Sequence, residues 1–364
     1  MKAIVCNTAG GPLEMEEVSL PPLGDHDVLV RTDASGVCHT DLSASLGKTL
    51  SGLPIVLGHE GAGVVLEVGK SVTRVAKGDR VVMSWSPQCG TCFHCARAEA
   101  QHCDRFREVQ LSRYLLRADG SKLPVMAGLG TFSEYMQVDE TSVVSVRTDL
   151  PAEQLAMIGC GVTTGVGAAL WTAGVKPGST VAVFGCGGVG LSVIQGARVA
   201  GAERIFAVDK LASKRDMALL FGATDRIDPD QGPVPEQLIA ATDGRGVDYA
   251  FEVVGIPDLI RQAFMSVRKH GTAVAVGMPP PNSTVEIPVI PLFLQEKRLI
   301  GSFYGSAQVR LHFPMLVGLA ERGRLDLSSM ISQRLRLDQA NEAMAAMEGG
   351  AVVRSVLMPH GIPA

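Results

Sequence analysis

The run Gly185-Cys186-Gly187-Gly188-Val189-Gly190 admits few folds, because of what stands on either side of it. The apolar stretch Val181-Ala182-Val183-Phe184 precedes it and the helix-like stretch Leu191–Ala200 follows. Asp209 stands 19 residues beyond Gly190, at the end of the next apolar run. Each part answers a physical need. Gly185 permits a tight strand-to-helix turn, Gly187 lets backbone approach a pyrophosphate, and Gly190 lets helix and strand pack closely. Gly188 and Val189 open a helix whose free N–H groups and positive end favour phosphates. A carboxylate at 209 can accept hydrogen bonds from both ribose hydroxyls. It would repel a 2′-phosphate, which favours NAD over NADP.

The same turn sits in a longer alternation. Strand-like runs at Thr180–Phe184, Arg204–Val208, Tyr249–Val253 and Thr272–Val276 are separated by helix-like runs at Val189–Ala200, Ser213–Phe221 and Pro257–Val267. Apolar strands alternating with helices predict a parallel sheet covered on both faces, a doubly wound α/β domain. Residues 1–150 read differently, with short β-like runs such as Val28–Arg31, Gly63–Val68 and Arg80–Met83 between turn signals. Beyond residue 300 the character is mixed, ending in a helical patch at Leu337–Met347 and a strand at Val352–Leu357. A length of 364 residues suits about two domains at roughly 150 residues each.

Charge and cysteine content narrow the classes. The net charge of −4 argues against binding nucleic acid or anionic membranes by bulk charge. Leu155–Val175 and Pro177–Ala197 are uncharged and long enough to span a bilayer, but both are crowded with glycine and read as buried core. The first residues lack the apolar h-region of a signal peptide, so a cytoplasmic chain is expected. Its eight cysteines are then thiols or metal ligands and not disulfides. Cys89, Cys92, Cys95 and Cys103 fall within 15 residues. Four thiolates so spaced can close a tetrahedron around Zn²⁺ with no open position, a structural site in a lobe at 86–107. Cys38 in Gly36-Val37-Cys38-His39-Thr40-Asp41 and His59 in Gly58-His59-Glu60-Gly61-Ala62-Gly63 suggest a second cluster. Taken singly, packing explains Cys38 and a satisfied polar contact explains His59.

Those two segments, the cysteine lobe, the isolated cysteine in Met157-Ile158-Gly159-Cys160-Gly161 and the glycine turn followed by Asp209 occur in one order. Together they resemble the zinc-containing medium-chain alcohol dehydrogenases over nearly the whole chain. The resemblance implies a GroES-like, β-rich catalytic domain at 1–160, completed by 297–364, with a Rossmann NAD-binding domain at 161–296. It implies two Zn²⁺ per chain. The catalytic one would be held by Cys38, His59 and Cys160, with Asp41 orienting His59 and Glu60 near the metal. Zinc would polarise a primary alcohol and hydride would pass to C4 of the nicotinamide. Thr40 resembles the hydroxyl that begins the family's proton relay, and Ser43 stands where many relatives have a histidine that ends it. Further cofactor contacts carried over are His39, Lys214, Val276 and Arg354.

By the same resemblance Trp85, Met126, Met278 and Phe303 wall a substrate pocket suited to an apolar or aromatic tail. A dimer is expected, with tetramer the alternative, and the strand-like Thr284–Ile290 could pair across a two-fold axis. A thiol-adduct formaldehyde dehydrogenase is the competing enzyme. Arg107 matches an arginine of that branch, while Thr49 stands where that branch carries an acid. A noncatalytic redox sensor binding NAD or zinc would need the lobe and the glycine turn but not Cys38, His59 and Cys160 together.

Overall fold

The alternating runs in the middle of the chain form a six-stranded parallel sheet. Its strands are Thr180–Phe184, Arg204–Val208, Asp225–Ile227, Val247–Glu252, Val267–Ala275 and Arg298–Gly301, arranged in space as 3-2-1-4-5-6. That is the doubly wound order, and it reverses between the first and fourth strands. The inner strands Thr180–Phe184 and Arg204–Val208 are apolar and buried beyond their first residues because both faces are covered. Phe184, Phe206, Ala250 and Ala273 meet Leu238 and Phe264 from the helices Val234–Ala240 and Pro257–Ser266 in one buried cluster. The helix Gly188–Val199 buries eight of its twelve residues.

The computed structural model describes residues 1–49, 52–350 and 352–362. The chain divides into two compact units, Met1–Cys160 with Gln308–Ala364, and Gly161–Ala307. The return to the first unit therefore falls at 307/308 and not at 296/297. The reason is pairing: Arg298–Gly301 is in parallel register with Thr272–Ala275 and extends the nucleotide sheet. Its short, polar-flanked sequence gives no strand signal.

The first unit is β-rich, as its turn-punctuated sequence suggests. A seven-stranded sheet runs Val143–Ser145, Arg80–Met83, Glu60–Val68, Asp27–Gly36, Arg354–Met358 and Ile331–Arg336, with Tyr135–Asp139 also paired to Asp27–Gly36. The C-terminal strand is thus interior to the sheet. It is buried along its whole length. Lys2–Cys6, Glu14–Glu17 and Ile55–Val56 form a smaller sheet over a core that includes Ile4, Leu57, Phe132 and Met344.

The uncharged run 155–175 lies, up to Thr172, in the continuous helix Ala152–Thr172, whose apolar stretch is 72% buried. The second uncharged run is the first strand and helix of the nucleotide sheet. Residues 284–288 form no strand; a short helix, Val289–Leu294, follows them.

Candidate metal centres and nucleotide site

Cys38 ends the long strand Asp27–Gly36 two residues on, as N-cap of the short helix His39–Ser45. Asp41, in the first turn, reaches back and accepts the Cys38 N–H at 2.9 Å. The same buried carboxylate accepts the Gly58 N–H at 3.2 Å and lies 2.9 Å from His59 Nδ1. A carboxylate only accepts, so Nδ1 carries the proton and Nε2 is left as a ligand atom. Asp41 therefore ties two segments, 18 residues apart, into one geometry.

Cys160 arrives from a different element, the π-helical turn Ile158–Val162. Gly159 lets that turn close in, since a Cβ there would lie 2.7 Å from the Met83 carbonyl oxygen. The ligand atoms of Cys38, His59, Glu60 and Cys160 all lie within 4.8 Å of one another. Glu60 begins the strand Glu60–Val68, opposite Gly36, where a Cβ would meet Glu60 Oε2 at 2.2 Å. Arg354, 5% exposed, stands 3.4 Å from Glu60 Oε1 and donates to the Val37 carbonyl.

The electrostatics follow from burial and these partners. Hydrogen bonding with Cys160, helped by His59 and Arg354, holds the Cys38 thiol well below its usual range. Burial opposes charge on His59, but Asp41 outweighs it and the pKa rises well above the ordinary value. Burial pushes Glu60 up to about 7, with Arg354 pulling against it. Two thiols and an imidazole, with a carboxyl beside them, form a donor set suited to zinc. A zinc ion bound there supplies Lewis-acid polarisation of an alcohol oxygen. Thr40 Oγ1 lies 3.8 Å from Cys38 Sγ, so a hydroxyl able to hold a proton adjoins the ligands. Ser43, half-buried on the same helix, offers no imidazole beyond it.

The lobe cysteines form the second cluster. Sγ atoms are 3.9 Å apart for Cys89 and Cys95, and for Cys92 and Cys103. A tetrahedron with Zn–S arms of about 2.3 Å has edges of about 3.8 Å, so the sulfurs fit the ion. Burial opposes a thiolate at Cys89, but N–H groups of Thr91 and Cys92 and the Thr91 hydroxyl bring it to about 6. Arg74 and Arg310 both donate to the Gln88 carbonyl, and Arg74 also to that of Cys89. Neither arginine is signalled by the lobe's own sequence.

In the other unit the glycine turn has the required steric form. Gly185 has φ +100°, and a Cβ on Gly190 would sit 1.9 Å from the Gly185 carbonyl oxygen. A Cβ on Gly187 would meet nothing within 4 Å, so space stands open over that peptide. Asp209 accepts the Cys186 N–H at 2.8 Å and the Leu211 N–H at 3.0 Å, which fixes its carboxylate beside the turn. These features fit a dinucleotide. Lys214 is half-buried in the helix Ala212–Leu220, and Val276 follows the strand Val267–Ala275. His39 is exposed next to Cys38. Cys186 is packing: burial pushes its thiol up to about 12.

The four expected pocket residues divide. Met126 is buried in the small-sheet core and Trp85 is half-buried, its ring edge-on to Phe106. Met278 and Phe303, in the other unit, are 62% and 42% exposed. Met126 is carried by the 3₁₀ turn Met126–Gly128.

Comparison with known proteins agrees with this anatomy. Residues 24–148 match the alcohol dehydrogenase GroES-like domain, and residues 188–322 match the zinc-binding dehydrogenase family. The S-(hydroxymethyl)glutathione dehydrogenase of Photobacterium damsela subsp. piscicida is 39% identical over 98% of this chain and 99% of its own. A zinc-binding alcohol dehydrogenase domain protein of Burkholderia ambifaria superposes with TM-score 0.94 at 34% identity, covering 100% of this chain and 99% of its own. The benzyl alcohol dehydrogenase of Acinetobacter calcoaceticus gives 0.92 at 30% identity, covering 98% of each. The chain belongs to the zinc-containing medium-chain alcohol dehydrogenases, oxidoreductases that work with zinc and a nicotinamide dinucleotide.

Proposed function

We propose that this chain oxidises primary alcohols with apolar or aromatic tails to aldehydes, reversibly, with NAD as hydride acceptor. The observation that carries the reading is the meeting of Cys38, His59 and Cys160 with Asp41 behind the histidine. In this reading those three hold the catalytic zinc and Glu60 stands beside it. Thr40 holds the alcohol proton and releases it without a histidine relay. The four lobe cysteines hold a structural zinc. Gly185, Gly187, Gly188, Val189 and Gly190 cradle the pyrophosphate, and Asp209 takes the ribose hydroxyls and disfavours NADP. His39, Lys214, Val276 and Arg354 complete the cofactor contacts. In this reading Trp85, Met126, Met278 and Phe303 supply the apolar character of the substrate pocket.

The enzyme is a homodimer in this reading and works in the cytoplasm, where eight thiols stay reduced. Val289, Ile290, Phe293 and Leu294 are each more than 60% exposed on one short helix, apolar surface that a second copy would cover.

A second reading has specific support. Arg107 is exposed on the helix Phe106–Ser112, free to meet a carboxylate, and the Photobacterium relative is named for a glutathione adduct. Absorbance of NADH decides between them. The zinc-loaded protein is mixed with NAD and ethanol, hexanol, benzyl alcohol, or formaldehyde with glutathione. Higher kcat/KM for hexanol and benzyl alcohol than for ethanol supports the first reading. Turnover of formaldehyde only with the thiol supports the second.

A further inference from the structure

Glu252 ends the strand Val247–Glu252, in register with Phe184, so it stands where the strand order reverses. In doubly wound sheets ligands bind outside the carboxyl ends of the strands at that point. Glu252 is fully buried. Its Oε1 accepts the N–H groups of Val254 at 2.8 Å, Gly255 at 2.7 Å and Ile256 at 3.3 Å. Its main-chain carbonyl accepts those of Val276 at 2.8 Å and Gly277 at 3.0 Å. One residue thus ties two loops at the ligand edge of the sheet.

The loops have no slack against each other or the glycine turn. A Cβ on Gly277 would lie 2.1 Å from the Gly255 nitrogen, and one on Gly255 2.4 Å from the Met278 carbonyl oxygen. Val253 donates to the Phe184 carbonyl, and a Cβ on Gly185 would lie 2.6 Å from Val254 Cγ2. Displacing residues 253–256 therefore displaces the turn's neighbour.

The second carboxyl oxygen is the informative one. Glu252 Oε2 is buried without a hydrogen-bond partner, and among the described residues no cation pairs with the group. Such an oxygen costs free energy, so packing alone does not account for an acid here. What the acid supplies is one acceptor at the focus of three N–H groups. Burial raises its pKa against those bonds.

We propose that Glu252 is a positioning residue for the dinucleotide, holding residues 253–256 and 276–277 against the glycine turn. The inference rests on the nucleotide-site reading above. The test is NADH binding by fluorescence, with kcat and KM for NAD, on the full zinc-loaded chain. Glu252→Ala is expected to raise the NADH Kd at least tenfold and the KM for NAD in parallel, with kcat changed less than threefold. Glu252→Gln, whose Oε1 can accept the same three N–H groups, is expected within threefold of the parent protein. A folded Glu252→Ala protein with Kd within twofold overturns the proposal, as does a Gln variant as weak as Ala. If Ala does not fold, Glu252→Asp replaces it; one methylene shorter, it cannot reach all three groups. At least a threefold rise in Kd is then expected, and no change overturns the proposal. If the parent protein itself binds no dinucleotide, the nucleotide-site reading fails and this inference with it. If it binds and the variants bind equally, this inference alone fails.

Discussion

Replacing Asp41 with Asn changes one atom and should uncouple one zinc site from the other. The carboxylate accepts three hydrogen bonds, from Gly58 and His59 on Oδ1 and from Cys38 on Oδ2. An amide has one oxygen. If it faces His59, the NH2 group faces the Cys38 N–H, donor against donor. If it is flipped, the NH2 faces Nδ1, and the imidazole must move its proton to Nε2, the ligand atom. Either way a buried donor or acceptor goes unsatisfied, at about 1–3 kcal/mol. That equals roughly a 5- to 150-fold loss in affinity at 1.4 kcal/mol per tenfold, in line with about 10–100-fold for groups that orient metal-bound histidines. Competition against a chromophoric chelator should resolve two zinc ions in the parent protein. In Asp41→Asn one should weaken within that range, while the ion at Cys89–Cys103 stays put as an internal control. Two unchanged affinities would refute the reasoning, and so would equal weakening of both.

Other substitutions test other links. Gly190→Ala must push apart the first turn of the helix and the Gly185 carbonyl, since the new Cβ would lie 1.9 Å from that oxygen. Overpacking of this kind costs about 1–3 kcal/mol or more, so thermal unfolding should fall by several degrees and NADH binding should weaken. Asp209→Asn removes the charge that repels a 2′-phosphate, and the NAD:NADP ratio of kcat/KM should fall at least tenfold; an unchanged ratio would mean another residue discriminates. His312 is buried and held at about 4, below the usual histidine range, by that burial. It stays neutral in the fold while the unfolded chain takes up a proton below about 6.5, so stability is lost as pH falls from there toward 4. Relative to His312→Gln, the parent protein should lose about 2 kcal/mol between pH 7 and pH 5 in urea denaturation.

Legibility in the sequence tracked the range of the interaction. The glycine turn, its strand and its helix are set by contacts a few residues apart, and the observed elements begin and end within a residue or two of the expected runs. The lobe was equally plain, because its ligands lie within one short stretch. The Arg354–Glu60 pair joins residues nearly 300 positions apart, and nothing local to either signals it. The strand Arg298–Gly301 was missed because it owes its strand state to the edge it pairs with and not to its own alternation. The converse error lies at Thr284–Ile290. Its period-two pattern reads as a strand, yet within the described chain 284–288 join no sheet, and Pro288 caps a helix instead. Glu252 falls inside the expected run Tyr249–Val253 with no signal of its own; only the fold shows three N–H groups converging on it.

The interior place of the C-terminal strand sets a timetable for synthesis. The nucleotide unit is contiguous and complete by residue 307, whereas the sheet of the first unit lacks its inner strand until Arg354–Met358 has been made. At about 5–20 residues per second the interval is on the order of 3–10 s. Throughout it Glu60 lacks the Arg354 guanidinium, and Cys38, two residues past the strand Asp27–Gly36, follows a sheet still open in the middle. The four lobe thiols, by contrast, all lie within residues 89–103. On this order of pairing the lobe's ligand set is complete on the nascent chain, whereas the surroundings of Cys38, His59 and Cys160 are complete only once Arg354–Met358 is in place.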